Sequence, residues 1–364
     1  MKRGLTTKAF YTRELLANEG LPSGAATRGE LLLVSCRSGD YLASRVAHEY
    51  QKRLAEVEVQ RNVALLREVD FQFSDSETCV RLERHVGGCD VFLFQGLLDP
   101  TSGRSIDENY VAFLLAADTL KQWGAAHVTA VLPYLAYGRQ DKPSRYRREP
   151  TTARFMADLG LKAGIDRLVT WHPHCAQLHG FYENTRVDAL DAVELFADRF
   201  GRFEGRDDVI AVAPDVGASR FVTYAGRALG IPSAIASKVR PRAEEAITTE
   251  IIGDFTGKRI AIVLDDMIGT GGTMYSLIRK LVEEKGIEEV YLGASHNLCR
   301  EPALTRLTDL HRDFHLREVL VTNSIPQTQQ FAALPFLKVA CLSELLSRVI
   351  NRIHHNRSVS ELFL

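Results

Sequence analysis

The chain has 364 residues, 45% hydrophobic and 25% charged, with a formal net charge of -1. That size suits about two domains of roughly 150 residues, and that composition excludes a disordered or fibrous chain. A balance so near zero gives no global attraction for nucleic acid or an acidic membrane, so any anion site must be local. No run of about 18 apolar residues exists to span a bilayer, and the N-terminus lacks the apolar core of a secretory signal. The six cysteines are scattered with no CxxC pair, which argues against a zinc site and for reduced thiols in a cytoplasm.

In chain order, residues 1 to about 28 are polar and read as an extension. Strands are expected at "ELLLVSC" (30–36), "DVFLFQG" (90–96) and "HVTAVLPYL" (127–135), with a helix over 108–124. "DKPSRYRREP" (141–150) is a basic, Pro-bounded run and should be an exposed loop. Strands follow at "RLVTW" (167–171), "DVIAVAPD" (208–215), "RIAIVLDD" (259–266) and "EVYLGASH" (289–296), with helices over 218–230 and 273–286. Near-continuous apolar strands alternating with helices argue for an α/β fold of two similar domains, each a mostly parallel sheet flanked by helices. The expected limits are 1–28 for the extension, 29–186 for the first domain and 187–364 for the second. The last helix of the second is able to pack back on the first.

The stretch "IVLDDMIGTGGTM" (262–274) carries the chemistry. The strand delivers Asp265 and Asp266 at its carboxyl end, where ligands bind in parallel sheets. Thr270, Gly271, Gly272 and Thr273 then turn into a helix, and successive N–H groups in such a turn cradle a phosphate. Glycines let the backbone approach the anion. The acids cannot serve that phosphate but suit vicinal hydroxyls or a hydrated Mg²⁺. Together these features describe a ribose 5-phosphate site. A plain capped helix would need one acid and no Thr-Gly-Gly-Thr. No Lys follows the glycines, so this is not a Walker A loop.

"VLDDMIGTGGT" resembles the phosphoribosyl-binding loop of type I phosphoribosyltransferases and ribose-phosphate pyrophosphokinases. Six other pieces resemble the pyrophosphokinases in order: "FSDSE" (73–77), "LPYLAYGRQDKPSRYRREPTTA" (132–153), "TWHPHCAQLHGFY" (170–182), "APDVGASR" (213–220), "SKVRP" (237–241) and "TNSIP" (322–326). The resemblance implies transfer of pyrophosphate from ATP to the 1-hydroxyl of ribose 5-phosphate, giving phosphoribosyl pyrophosphate and AMP. It implies ATP contacts at Phe73, Asp75, Glu77, Arg139, Gln140 and Asp141. It makes Lys238 and Arg240 the transition-state stabilisers, and His174 and Asp215 the residues that hold Mg²⁺. It also implies a cytoplasmic homo-oligomer built from dimers, commonly a hexamer. Two other readings stay open: a regulatory paralogue without activity, and a phosphoribosyltransferase-like enzyme for another phosphosugar.

Several positions depart from the family pattern. Gly269 and His172 stand where the family usually has Asp, and Ser76 where it has Gly. Gly87 stands where an Arg is expected, and "DPTSGRSIDENY" (99–110) is longer than the usual turn.

Overall fold

Apolar runs with little alternation fold into strands covered on both faces, because parallel sheets carry helices on each side. The computed structural model describes residues 10–12, 28–59, 62–144, 146–242 and 245–363, with the backbone alone over 238–249. The chain forms two compact units. One holds the described residues up to Leu190 together with those from Cys341 onward, and the other holds Asp191–Ala340.

The first unit contains β1 (Glu30–Ser35), α1 (Asp40–Glu56), β2 (Ala64–Leu66), β3 (Asp70–Gln72), β4 (Thr78–Val80) and β5 (Cys89–Phe94). It continues through α2 (Ile106–Gln122), β6 (His127–Val131), α3 (Thr152–Lys162), β7 (Arg167–Trp171), α4 (Leu178–Phe181) and β8 (Arg186–Leu190). Its main sheet runs β2-β1-β5-β6-β7-β8, parallel throughout. β3 and β4 form a separate antiparallel hairpin. β8 pairs with β7, so the chain leaves this unit after Leu190 rather than at 186. α2 starts two residues before the expected Glu108. Ser105 Oγ accepts from the Glu108 N–H while Glu108 Oε2 accepts from the Ser105 N–H, a reciprocal cap.

The second unit contains α5 (Val193–Arg199), β9 (Val209–Ala213), α6 (Ser219–Leu229), β10 (Ser233–Arg242), β11 (Glu245–Ile252) and β12 (Ile260–Ile268). It continues through α7 (Gly272–Lys285), β13 (Glu289–Asn297), α8 (Glu301–Asp313), β14 (Leu316–Thr322), α9 (Gln329–Ala332) and β15 (Leu337–Ala340). The sheet order is β11-β10-β9-β12-β13-β14-β15, parallel except between β10 and β11. β9 is buried throughout, and so are the first five residues of β12. Each such Val, Ile or Leu contributes about 1.5–3 kcal/mol, so the two strands are firm supports for what stands at their carboxyl ends. The last helix, α10 (Ser343–His354), belongs to the first unit, where His354 Nδ1 lies 2.9 Å from Asp90 Oδ2 of β5. Among the described residues no helix is long and apolar enough to cross a membrane.

Candidate active site

In the second unit, β12 pairs with β9 as far as Val263 and with β13 as far as Ile268. Asp265 and Asp266 therefore stand where β12 outruns β9. Asp265 Oδ1 accepts from the Asp266 N–H at 2.9 Å. Asp215 follows β9, and its Oδ1 accepts from the Ala218 N–H at 3.1 Å, just ahead of α6. Asp265 keeps some surface at the strand end, yet its carboxyl lies deep. Burial first, then the Asp266 and Asp215 carboxylates, push it well above the usual range. A cation or a set of hydroxyl donors would relieve that repulsion.

The turn after these acids has the expected shape. Gly271 caps α7 with φ 77, a left-handed conformation that glycine adopts without strain, and the helix opens at Gly272. The first N–H groups of a helix have no partner inside it, so those after Gly271 are free to point at an anion. The turn is also stapled from outside. A Cβ on Gly271 would stand 3.3 Å from Ala303 Cα, and Arg306 Nη1 donates to the Thr270 carbonyl at 2.6 Å. Ala303 and Arg306 lie three apart on α8, hence on one face. Sequence reading missed Arg306, which lies 36 residues beyond Thr270. Nothing in the sequence around it marks it as a brace for that turn.

A cavity of about 400 Å³ also lies in this unit, lined by Arg202, Arg206, Asp208, Arg259, Glu288 and neighbours at the amino ends of β9, β12 and β13. Its arginines are already paired: Arg206 with Asp208, Arg259 with Glu288, and Arg202 with Glu318. The acids and the glycine turn, at the opposite strand ends, are the better site.

The first unit gathers the residues assigned to ATP in two places. Phe73 to Glu77 form the turn of the β3–β4 hairpin, closed by Phe73 N–H to the Glu77 carbonyl at 2.9 Å and Glu77 N–H to Asp75 Oδ1 at 3.1 Å. Phe73 is 51% exposed and lies edge-on to Phe71, an open face for a flat ring to stack on. The longer turn before α2 braces this hairpin, because its Arg104 pairs with the fully buried Asp70 at the base of β3. Gln72 Nε2 also donates to Glu108 Oε1 at 3.2 Å.

The second place is the turn carrying Arg139, Gln140 and Asp141. Tyr137, at φ 65, starts it, and the Gln140 N–H donates to the Tyr137 carbonyl at 2.9 Å. A hydrogen bond to Asp107 pushes the Tyr137 phenol up to about 12. Gln140 Oε1 accepts from Thr152 Oγ1 at 2.6 Å, so this side chain braces the turn, while Arg139 is exposed. His174 stands beside this turn: a Cβ on Gly138 would lie 3.8 Å from His174 Cβ. Burial, then the Asp141 charge, push the neighbouring Cys175 thiol up. Lys238 and Arg240 lie on β10, which reaches β11 through two register shifts, and their side chains fall outside the described residues. The backbone here is a strand pair.

Two departures acquire a backbone meaning. Ser76 has φ 76 and His172 has φ 39. Asp and His are among the residues that enter this region most readily, so His172 takes a conformation that either residue tolerates. Ser76 holds a conformation that suits glycine. A Cβ on Gly269 would meet nothing within 4 Å, so the glycine there is not a steric need.

Two parallel α/β units, one presenting an acidic pair and an anion turn at a strand's carboxyl end, define the phosphoribosyl-binding class of folds. The family model described as the N-terminal domain of ribose phosphate pyrophosphokinase matches residues 31–164, and the phosphoribosyl synthetase-associated domain matches 217–364. A ribose-phosphate pyrophosphokinase of Caldanaerobacter subterraneus is 35% identical over 333 residues, 92% of this chain and 98% of the relative. One from Rhodopirellula baltica is 37% identical over 294 residues, 80% of this chain and 89% of the relative. The crystal structure of phosphoribosylpyrophosphate synthetase from Mycobacterium smegmatis superposes with a TM-score of 0.76 at 32% identity, covering 90% of this chain and 99% of that one. The chain belongs to the ribose-phosphate pyrophosphokinase family.

Proposed function

We propose that this protein transfers the β,γ-pyrophosphoryl group of ATP to the 1-hydroxyl of ribose 5-phosphate. The observation that carries this reading is the Asp265–Asp266 pair beside the left-handed Gly271 turn, in a chain whose family relationship spans 92% of its length. The sugar's phosphate sits on the N–H groups from Thr270 to Thr273, and Asp265 and Asp266 accept from its vicinal hydroxyls. The 1-oxygen bonds to the β-phosphorus of ATP as the bond from that phosphorus to the α,β-bridging oxygen breaks. AMP leaves with the bridging oxygen, and the hydroxyl proton is released. Transfers of this kind need positioning and cations more than a covalent nucleophile. Lys238 and Arg240 are the proposed cations, Phe73 the stacking face for adenine, and Asp75 and Glu77 acceptors for its amino group. Arg139, Gln140 and Asp141 contribute the second ATP-side surface.

Mg²⁺ is the proposed cofactor. Carboxylate oxygens are its preferred ligands, and Asp215 with the Asp265–Asp266 pair supplies them; the His174 ring nitrogen is a poorer donor and rests on the resemblance. Among the described residues no three His, Cys, Asp or Glu side chains gather closely enough to hold an ion by themselves, so the proposed site relies on substrate phosphate oxygens for the remaining ligands. Bound there, Mg²⁺ would neutralise phosphate charge. A cytoplasmic homo-oligomer built from dimers, up to a hexamer, completes the proposal.

The test is AMP release from ATP and Mg²⁺ with and without ribose 5-phosphate, followed by phosphorus NMR of the product. AMP that depends on the sugar, with a new pyrophosphoryl-sugar signal, supports the enzyme. No AMP while ribose 5-phosphate still binds would favour the regulatory paralogue.

A further inference from the structure

The match to the family begins at residue 31, so the preceding extension is outside what the pyrophosphokinase reading explains. One short piece of it, Phe10 to Thr12, is held by a dense set of contacts. The Asn351 side chain on α10 reads both backbone groups of Tyr11: Oδ1 accepts from its N–H at 2.8 Å, and Nδ2 donates to its carbonyl at 3.0 Å. The same Nδ2 donates to the Tyr50 hydroxyl of α1 at 3.0 Å. The Phe10 ring meets the Tyr50 ring edge-on, with centroids 4.7 Å apart. Two guanidinium groups flank the Tyr11 ring: Arg352 at 5.5 Å and Arg357 at 5.0 Å. Thr12 is buried.

Asn351 is 1% exposed, so its amide needs these partners: a buried amide without them keeps its desolvation cost. Paired bonds to one residue's N–H and carbonyl are what an extended peptide offers, and they do not depend on its side chain. The aromatic ring and the two cations then select for that side chain. Arg352 is itself fixed, with Nη1 donating to the Ser358 carbonyl at 2.7 Å and to Glu361 Oε2 at 2.8 Å. The seat is therefore built from groups that α1, α10 and the C-terminal turn already hold in place.

We infer that α1 and α10 form a binding seat for an extended Phe-Tyr peptide, and that the chain's own extension occupies it as a clip on the C-terminal helix. The clip joins the first and last segments of the first unit. It rests on none of the residues assigned to ATP or the sugar, so it stands whether or not the pyrophosphokinase reading does.

The test uses the full chain. In the unaltered protein the Tyr11 amide should exchange with deuterium at least about tenfold more slowly than an open amide of the same sequence. In the Phe10→Ala/Tyr11→Ala double variant, exchange along 343–354 should quicken by about tenfold or more. A synthetic peptide, TTKAFYTRELL, added in excess should slow it again, and the same peptide with both aromatics changed to Ala should not. Tyr11→Phe should behave as wild type, because the ring and the backbone make the contacts. An unprotected Tyr11 amide, or a peptide that fails to bind the vacated seat, would overturn the clip. Protection that disappears on dilution would assign the seat to a neighbouring copy's extension and overturn the same-chain form. If the double variant does not fold, the exchange of Tyr11 in the wild type still decides.

Discussion

Arg306→Ala tests whether the phosphate turn is held from outside as well as by its own glycines. The guanidinium donates to the Thr270 carbonyl at 2.6 Å, and α8 backs Gly271 at Ala303. A hydrogen bond to a charged group contributes about 1.5–3 kcal/mol, roughly 10- to 150-fold in an equilibrium. Arg306 is only half-buried, so the lower end applies, about 10- to 30-fold. Arg306 touches the loop rather than the ATP-side residues, so the loss should fall on kcat/KM for ribose 5-phosphate. The KM for ATP should move by less than about twofold. Arg306→Lys keeps a donor and should recover part of the loss. The assay is coupled AMP release with each substrate varied in turn, beside a thermal melt. If both substrates suffer equally, or the melting temperature falls with no effect on the sugar, Arg306 is a structural residue and the reasoning fails.

Four further outcomes are expected. Asp265→Asn should impair use of ribose 5-phosphate while the melting temperature holds, since it removes a charge that burial and two carboxylates already oppose; undiminished activity would remove Asp265 from the site. Lys238→Ala should cut turnover by roughly 100-fold or more while ATP binding changes little, and equal losses measured by calorimetry and kinetics would assign it to ground-state binding. Ser76→Gly should stabilise the protein, because a left-handed non-glycine residue costs about 1–2 kcal/mol and the extra freedom of unfolded glycine returns only about 0.4–1; a lowered melting temperature would contradict this. Gly269→Asp should fold with stability within about 0.5 kcal/mol of wild type, since the added side chain enters open space; a large loss on denaturant titration would mean that the turn is shaped around the glycine.

What could be read in advance followed sequence distance. Asp265 to Thr273 are neighbours in the chain, so one strand, one turn and one helix start suffice to place them, and the apolar runs on either side mark that strand and helix. Arg306 and the Asp70–Arg104 pair had no such signal. Each joins segments that only the folded sheet brings together, and nothing in "EPALTRL" or "DPTSGRS" separates a brace from a solvated cation. The same limit applies to Tyr11, whose partners on α10 lie 340 residues away.

The departures from the family pattern gain more from the structure than the matches do. In sequence, Ser76 and His172 look like losses, one of flexibility and one of charge. Both have positive φ angles, so each occupies a backbone conformation that few side chains adopt readily. The longer turn before α2 looks like a tolerated insertion, yet its Arg104 neutralises a buried acid beneath the Phe73 hairpin. If the expected departures hold, what differs in this chain is largely charge: no carboxylate at His172 or Gly269, and a cation at Arg104 within the longer turn. Charge near a phosphate and metal site acts on substrate affinity and rate before it acts on folding. The functional consequences of these departures should thus appear in kinetics, with the melting temperature nearly silent.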